Sequence, residues 1–71
     1  MTLADEYAEG MDYGHQWAAQ DVRDSIPAAD ELARLQEETR TESRKLRAFY
    51  LGALRGYRQV RRTLRDGRYG T

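Results

Sequence analysis

Residues 36–45 read QEETRTESRK, ten consecutive positions without one large apolar side chain, and the path of the chain through them decides the fold. On either side of this stretch, apolar or small residues recur every seven positions. One series runs Leu32, Thr39, Leu46, Ala53 and Val60; a companion runs Gln36, Ser43, Tyr50, Tyr57 and Leu64. A strict seven-residue repeat implies a helix supercoiled on a neighbour. Neither glycine nor proline interrupts residues 28–51. Together these features predict one long helix over 27–65. Thr39 with Glu42 also matches a capping box, which would start a new helix inside the polar stretch. In that alternative, three shorter helices close into a monomeric bundle.

Upstream, Asp24-Ser25-Ile26-Pro27 is a break. Proline disfavours helical dihedrals at the residue before it, yet suits the first turn of a new helix. Asp24 or Ser25 can accept hydrogen bonds from the amides exposed there. Before the break, Leu3, Tyr7, Gly10, Met11, Gly14, Trp17 and Ala18 follow the i, i+3, i+4, i+7 template, with Asp5, Glu9, Asp12 and Gln16 opposite. This predicts an amphipathic helix over 3–24, N-capped by Thr2 with Asp5 as the reciprocal acid. Downstream, Asp66-Gly67 supplies a left-handed stop, and residues 66–71 read as a frayed tail. The expected fold is all-α: a helical hairpin with turn 25–27, in which a helix of about 22 residues folds back on a longer one.

Geometry then asks for a partner. At about 1.5 Å per residue the first helix spans roughly 33 Å and the second roughly 60 Å, so an antiparallel first helix covers only half of the second. Phe49, Tyr50, Ala53, Leu54, Tyr57, Val60 and Leu64 would be left uncovered, a patch that soluble monomers seldom leave wet. A second copy is the simplest cover, which makes an oligomeric bundle the expectation. Glycine spacing points the same way. Gly10-x-x-x-Gly14-x-x-x-Ala18 and Ala48-x-x-x-Gly52-x-x-x-Gly56 place small residues inside helices, where each glycine costs about 1 kcal/mol relative to alanine. Close approach of two backbones is a reason to keep them. The two segments also resemble each other faintly, as Tyr7-x-x-Gly10-x-x-x-Gly14-His15 and Phe49-x-x-Gly52-x-x-x-Gly56-Tyr57. The interface expected on these grounds comprises Tyr7, Gly10, Gly14, Trp17, Leu46, Phe49, Tyr50, Ala53, Leu54, Gly56, Tyr57, Val60 and Leu64.

Charge is the most specific feature of the composition. The 71 residues sum to zero, yet residues 1–38 carry ten acids and two bases, and residues 39–71 carry ten bases and two acids. The halves can neutralise one another, or the basic half can face an acidic partner. Arg47, Arg55, Arg58, Arg62 and Arg65 fall on one side of the second helix, opposite its apolar stripe. Such a face can track phosphates, which makes nucleic acid the alternative partner, although no known nucleic-acid-binding signature accompanies it.

Other chemistries find little support. The chain has no cysteine and one histidine, which removes disulfides, thiol catalysis and the usual zinc sets. Asp12-x-x-His15 has the spacing of carboxylate-bridged metal bundles, but those sites need two such pairs facing inward. No nucleophile stands in a motif, and Ser25 and Ser43 read as caps or surface residues. No catalytic, cofactor or metal residue is assigned. The acidic N-terminus lacks the pattern of a secretory signal and no apolar run is long enough for a bilayer, so a cytoplasmic location without membrane contact is expected. The expected function is protein binding, as an adaptor or inhibitor of a larger complex. Size and arginine content fit accessory products of phages or plasmids.

Overall fold

The computed structural model describes residues 2–41 and 43–65, without the side chains of Leu64 and Arg65. Three helices carry the chain: α1 Leu3–Arg23, α2 Ala28–Glu38 and α3 Arg44–Arg65. The expected single helix over 27–65 is therefore interrupted, and the hairpin becomes a three-helix bundle. Glu42, Leu64, Arg65, the Asp66-Gly67 stop and the tail 66–71 lie outside the described residues or side chains.

The caps explain the breaks. Thr2 caps α1 in both directions: Asp5 N donates to Thr2 Oγ1 and Thr2 N to Asp5 Oδ2, each at 3.1 Å. At its far end Ser25 takes a left-handed conformation, φ 58°. Around it Ile26 N donates to Asp21 O at 2.8 Å and Ser25 N to Val22 O at 3.2 Å, a Schellman closure with serine where glycine is usual. Pro27 precedes α2 and no side chain caps that helix, so neither Asp24 nor Ser25 fills the role expected of it. Asp30 and Glu31, in the first turn of α2, favourably face the positive end of its dipole instead. Thr39 ends α2 rather than starting α3: its N–H donates to Leu35 O at 3.1 Å and its hydroxyl to Gln36 O at 2.6 Å. The start of α3 is capped by Ser43, whose Oγ accepts from Leu46 N at 3.3 Å and whose carbonyl accepts from Arg47 N at 2.9 Å. Without an apolar side chain at 36–45 to hold a continuous helix on a neighbour, these local closures win.

The break reverses the chain once more, and α3 runs parallel to α1. A Cβ added at Gly10 would lie 1.9 Å from Phe49 O, and one at Gly14 would lie 2.2 Å from Ala53 O. In return, a Cβ at Gly52 would lie 2.0 Å from Tyr7 O and one at Gly56 2.4 Å from Met11 O. Residue numbers rise together along the seam, which fixes its direction. The contacts are also reciprocal: Gly10 stands to Gly52 as Gly14 stands to Gly56. The faint likeness of the two glycine segments thus reflects a seam with quasi-twofold symmetry inside one chain. Each glycine has hydrogen where the Cβ would stand, so the facing carbonyls accept Cα–H contacts worth perhaps 0.5–1 kcal/mol each.

α2 lies antiparallel across this pair. Ala28 and Leu32, near its start, line a cleft with Arg58 and Arg61, while Arg34, near its end, lies over the ring of Trp17 at 5.6 Å. The buried core is Ala18, Leu35, Ala53, Leu54 and Tyr57, with Trp17, Ala28, Leu32, Tyr50 and Val60 packed against it. Tyr13, Trp17, Phe49 and Tyr50 form a chain of tilted and edge-on rings with centroids 5.3–6.3 Å apart. The apolar face expected to stay wet on α3 is covered by α1, so the chain needs no second copy to bury Ala53, Leu54 or Tyr57.

Candidate functional site

Charge separates by helix. α1 holds five acids and one base, α2 four acids and one base, and α3 eight bases and no acid. With α3 pinned by its glycine face, the opposite face points to solvent. Arg44, Arg47, Leu51, Arg55, Arg58 and Arg62 are all exposed and follow one another at steps of three or four, so at 100° per residue they form one outer stripe. Leu51 stands in the middle of it, 49% exposed, beside a shallow concavity lined by Leu54, Arg55, Arg58, Gln59 and Arg62.

Contacts to α1 brace this face. Arg55 Nη1 donates to Tyr7 Oη at 3.4 Å, and His15 Nε2 pairs with Gln59 Oε1 at 3.3 Å. Lys45 Nζ lies 3.7 Å from the carboxylate of Glu6, a buried acid that keeps this counter-charge. Deeper in, Tyr57 Oη donates to Asp21 Oδ2 at 2.6 Å. Burial raises the pKa of Tyr57 above its ordinary value near 10, and the hydrogen bond to Asp21 and that group's negative charge push in the same direction. Arg61, whose Cζ lies 5.9 Å from the centre of the Tyr57 ring, opposes them. The phenol is therefore held neutral as a donor, a structural role rather than an acid–base one.

The residues expected to form an interface divide into three groups. Gly10, Gly14, Ala53, Leu54, Gly56 and Tyr57 are buried within the chain, in the seam and core of one copy. Tyr7, Trp17, Phe49, Tyr50 and Val60 are half-buried at the edges of the same packing. Leu46 is open, 48% exposed, and the side chain of Leu64 lies outside those described. Of the arginine set, Arg47, Arg55, Arg58 and Arg62 share the outer stripe of α3. Asp12 is exposed and His15 is engaged with Gln59; among the described residues no group of three or more histidines and carboxylates stands ready for a metal ion. No described helix is long and apolar enough to cross a membrane.

Three residues that matter carry no assignment from the sequence: Leu51, Asp21 and Glu6. Leu51 was detectable, since it stands seven residues from both Arg44 and Arg58 and interrupts an arginine stripe at helical spacing. The pairing of Asp21 with Tyr57 spans 36 residues and depends on the parallel seam, for which the sequence carries no local signal. Compared with protein-family models, with curated proteins and with solved structures, the chain finds no match.

Proposed function

We propose that this protein is a small helical interaction module, an adaptor or inhibitor of a larger complex, that docks an acidic protein surface on the outer face of α3. The observation that carries this reading is Leu51, half-exposed among Arg55, Arg58 and Arg62. An apolar anchor ringed by arginines is the composition of a protein-binding hot spot, where arginine is enriched. Charge complementarity selects the partner's chemistry: an acidic helix or loop that presents an apolar side chain to Leu51. Long-range attraction to the eight bases of α3, a helix without an acid, would also speed encounter.

A second reading has its own observation. Arg58 and Arg62 make no hydrogen bond or ion pair among the described residues, as phosphate-tracking side chains would in a free protein. The two readings differ in what they ask of Leu51. Fluorescence anisotropy with an acidic, leucine-bearing helical peptide and with duplex DNA of similar length separates them. In the protein reading, Leu51→Ser weakens peptide binding about tenfold, because covering the rest of a leucine is worth about 1–1.5 kcal/mol. The double variant Arg58→Glu, Arg62→Glu then removes peptide binding. If DNA binds instead, with a steep salt dependence and no response to Leu51→Ser, the α3 face is a phosphate tracker and the protein reading is wrong. A second copy of this chain, offering the acids of α1 and α2, is the remaining acidic partner. Sedimentation would reveal it as salt-sensitive self-association that the same double variant abolishes.

A further inference from the structure

We propose that the cleft between the start of α2 and the C-terminal third of α3 is a binding site for a phosphoryl group. The cleft encloses about 300 Å³ and is lined by Ala28 and Leu32 of α2 and by Arg58, Arg61 and Arg62 of α3. Three arginines thus line one concavity, with no carboxylate among its described lining residues. Arg61 is the unusual member. Its Nη1 is shut off from solvent and has no hydrogen-bond partner among the described residues, while its guanidinium stands over the Tyr57 ring. A cation stripped of water on one side and given no counter-charge is costly, and an anion in contact with it relieves that cost.

Two carboxylates whose charge reaches Tyr57 are already engaged. Asp21 is engaged by the Tyr57 hydroxyl at 2.6 Å, and Glu31 is paired with Arg34 through two of its nitrogens. α2 adds its own bias toward anions. Ala28, its first residue, lines the cleft, and no side chain caps the helix there, so amide N–H groups at its start are open to an acceptor. Asp30 and Glu31 in the same turn oppose an anion, which leaves the arginines as the source of affinity. Their chemistry favours phosphoryl oxygens over a single carboxylate: planar guanidinium forks bind tetrahedral dianions through several oxygens at once. The cleft shares Arg58 and Arg62 with the docking face of α3 but stands on Arg61 and α2, so the two proposals fail separately.

The test is a ¹⁵N–¹H NMR titration of the full chain with inorganic pyrophosphate, with ADP and with adenosine, each against sodium chloride of matched ionic strength. Pyrophosphate and ADP are expected to give saturable shifts at the Ala28 and Ala29 amides and at the Arg61 side chain, whereas adenosine and chloride give none. Equal affinities would mean that the phosphoryl group alone is recognised; tighter ADP would mean that a nucleoside adds to it. Arg61→Gln should weaken binding at least tenfold, and Leu51→Ser should leave it unchanged. Because Arg61→Gln also removes a contact to Tyr57, the exposed Arg62→Gln serves as a second variant, expected to weaken binding severalfold without altering the fold. Shifts that chloride reproduces, that do not saturate, or that survive both arginine variants would overturn the proposal.

Discussion

Replacing Gly10 by alanine is expected to destabilise the protein, although alanine is the better helix former. On propensity alone the change should stabilise α1 by about 1 kcal/mol. The new Cβ, however, would stand 1.9 Å from the backbone oxygen of Phe49 and 2.8 Å from its carbonyl carbon, where no rotamer change can make room. α1 and α3 would have to separate by more than 1 Å, loosening Ala53 and Tyr57 on the same seam. Overpacking of this kind costs about 1–3 kcal/mol and sometimes more, enough to reverse the propensity gain. Gly14→Ala should behave alike, its Cβ meeting Ala53 O at 2.2 Å, and valine at either position should prevent folding. Urea melts followed by circular dichroism check this. A higher midpoint for Gly10→Ala would show that the seam is not closed at that point.

Tyr57→Ala should be the most damaging truncation of a core side chain. The side chain is fully buried, packs against both neighbouring helices and is the largest of the core. Removing an aromatic ring from such a site costs about 3–5 kcal/mol, against a total of about 4–10 kcal/mol expected for a chain of this size. Tyr57→Phe isolates the hydroxyl: it deletes the hydrogen bond to Asp21, at a cost of about 1–3 kcal/mol because an acceptor is left partly buried. The same contact makes a pH prediction. The phenol's pKa is raised in the folded chain, so the unfolded state loses this proton first as pH rises. Its contribution to stability is complete below about pH 10 and falls away above it, and Tyr57→Phe should flatten that alkaline decline. A decline unchanged in Tyr57→Phe would assign it to other groups.

Much of this fold was legible because its signals are local. The Thr2–Asp5 capping box, the Pro27 break and the amphipathic first helix each depend on residues within a few positions of one another. The glycines were legible as sites of close backbone approach, since their helix-propensity cost requires a reason. Their partner was not: small-residue spacing says that two backbones meet, but not which two or in which direction. That direction depends on residues 36–45, where heptad spacing and capping chemistry compete. The seven-residue series was misleading because its members belong to two helices, Leu32 on α2 and Leu46, Ala53 and Val60 on α3, rather than to one. Once Thr39 closes α2 and Ser43 opens α3, the apolar residues assigned to an oligomer interface turn inward. Arg47, Arg55, Arg58 and Arg62, whose grouping needs only α3 to be helical, are exposed on one stripe as their spacing implies.

The account stands on α1 and α3 meeting through their glycines within a single copy. Mixing ¹⁵N,¹³C-labelled chain with unlabelled chain and recording isotope-filtered NOE spectra tests that contact directly. The expected result is a set of intramolecular contacts, Gly10 Hα to Phe49 and Ala53 and Gly52 Hα to Tyr7 and Met11, with none between labelled and unlabelled chains. Intermolecular contacts at those glycines, or contacts showing α1 antiparallel to α3, would contradict it.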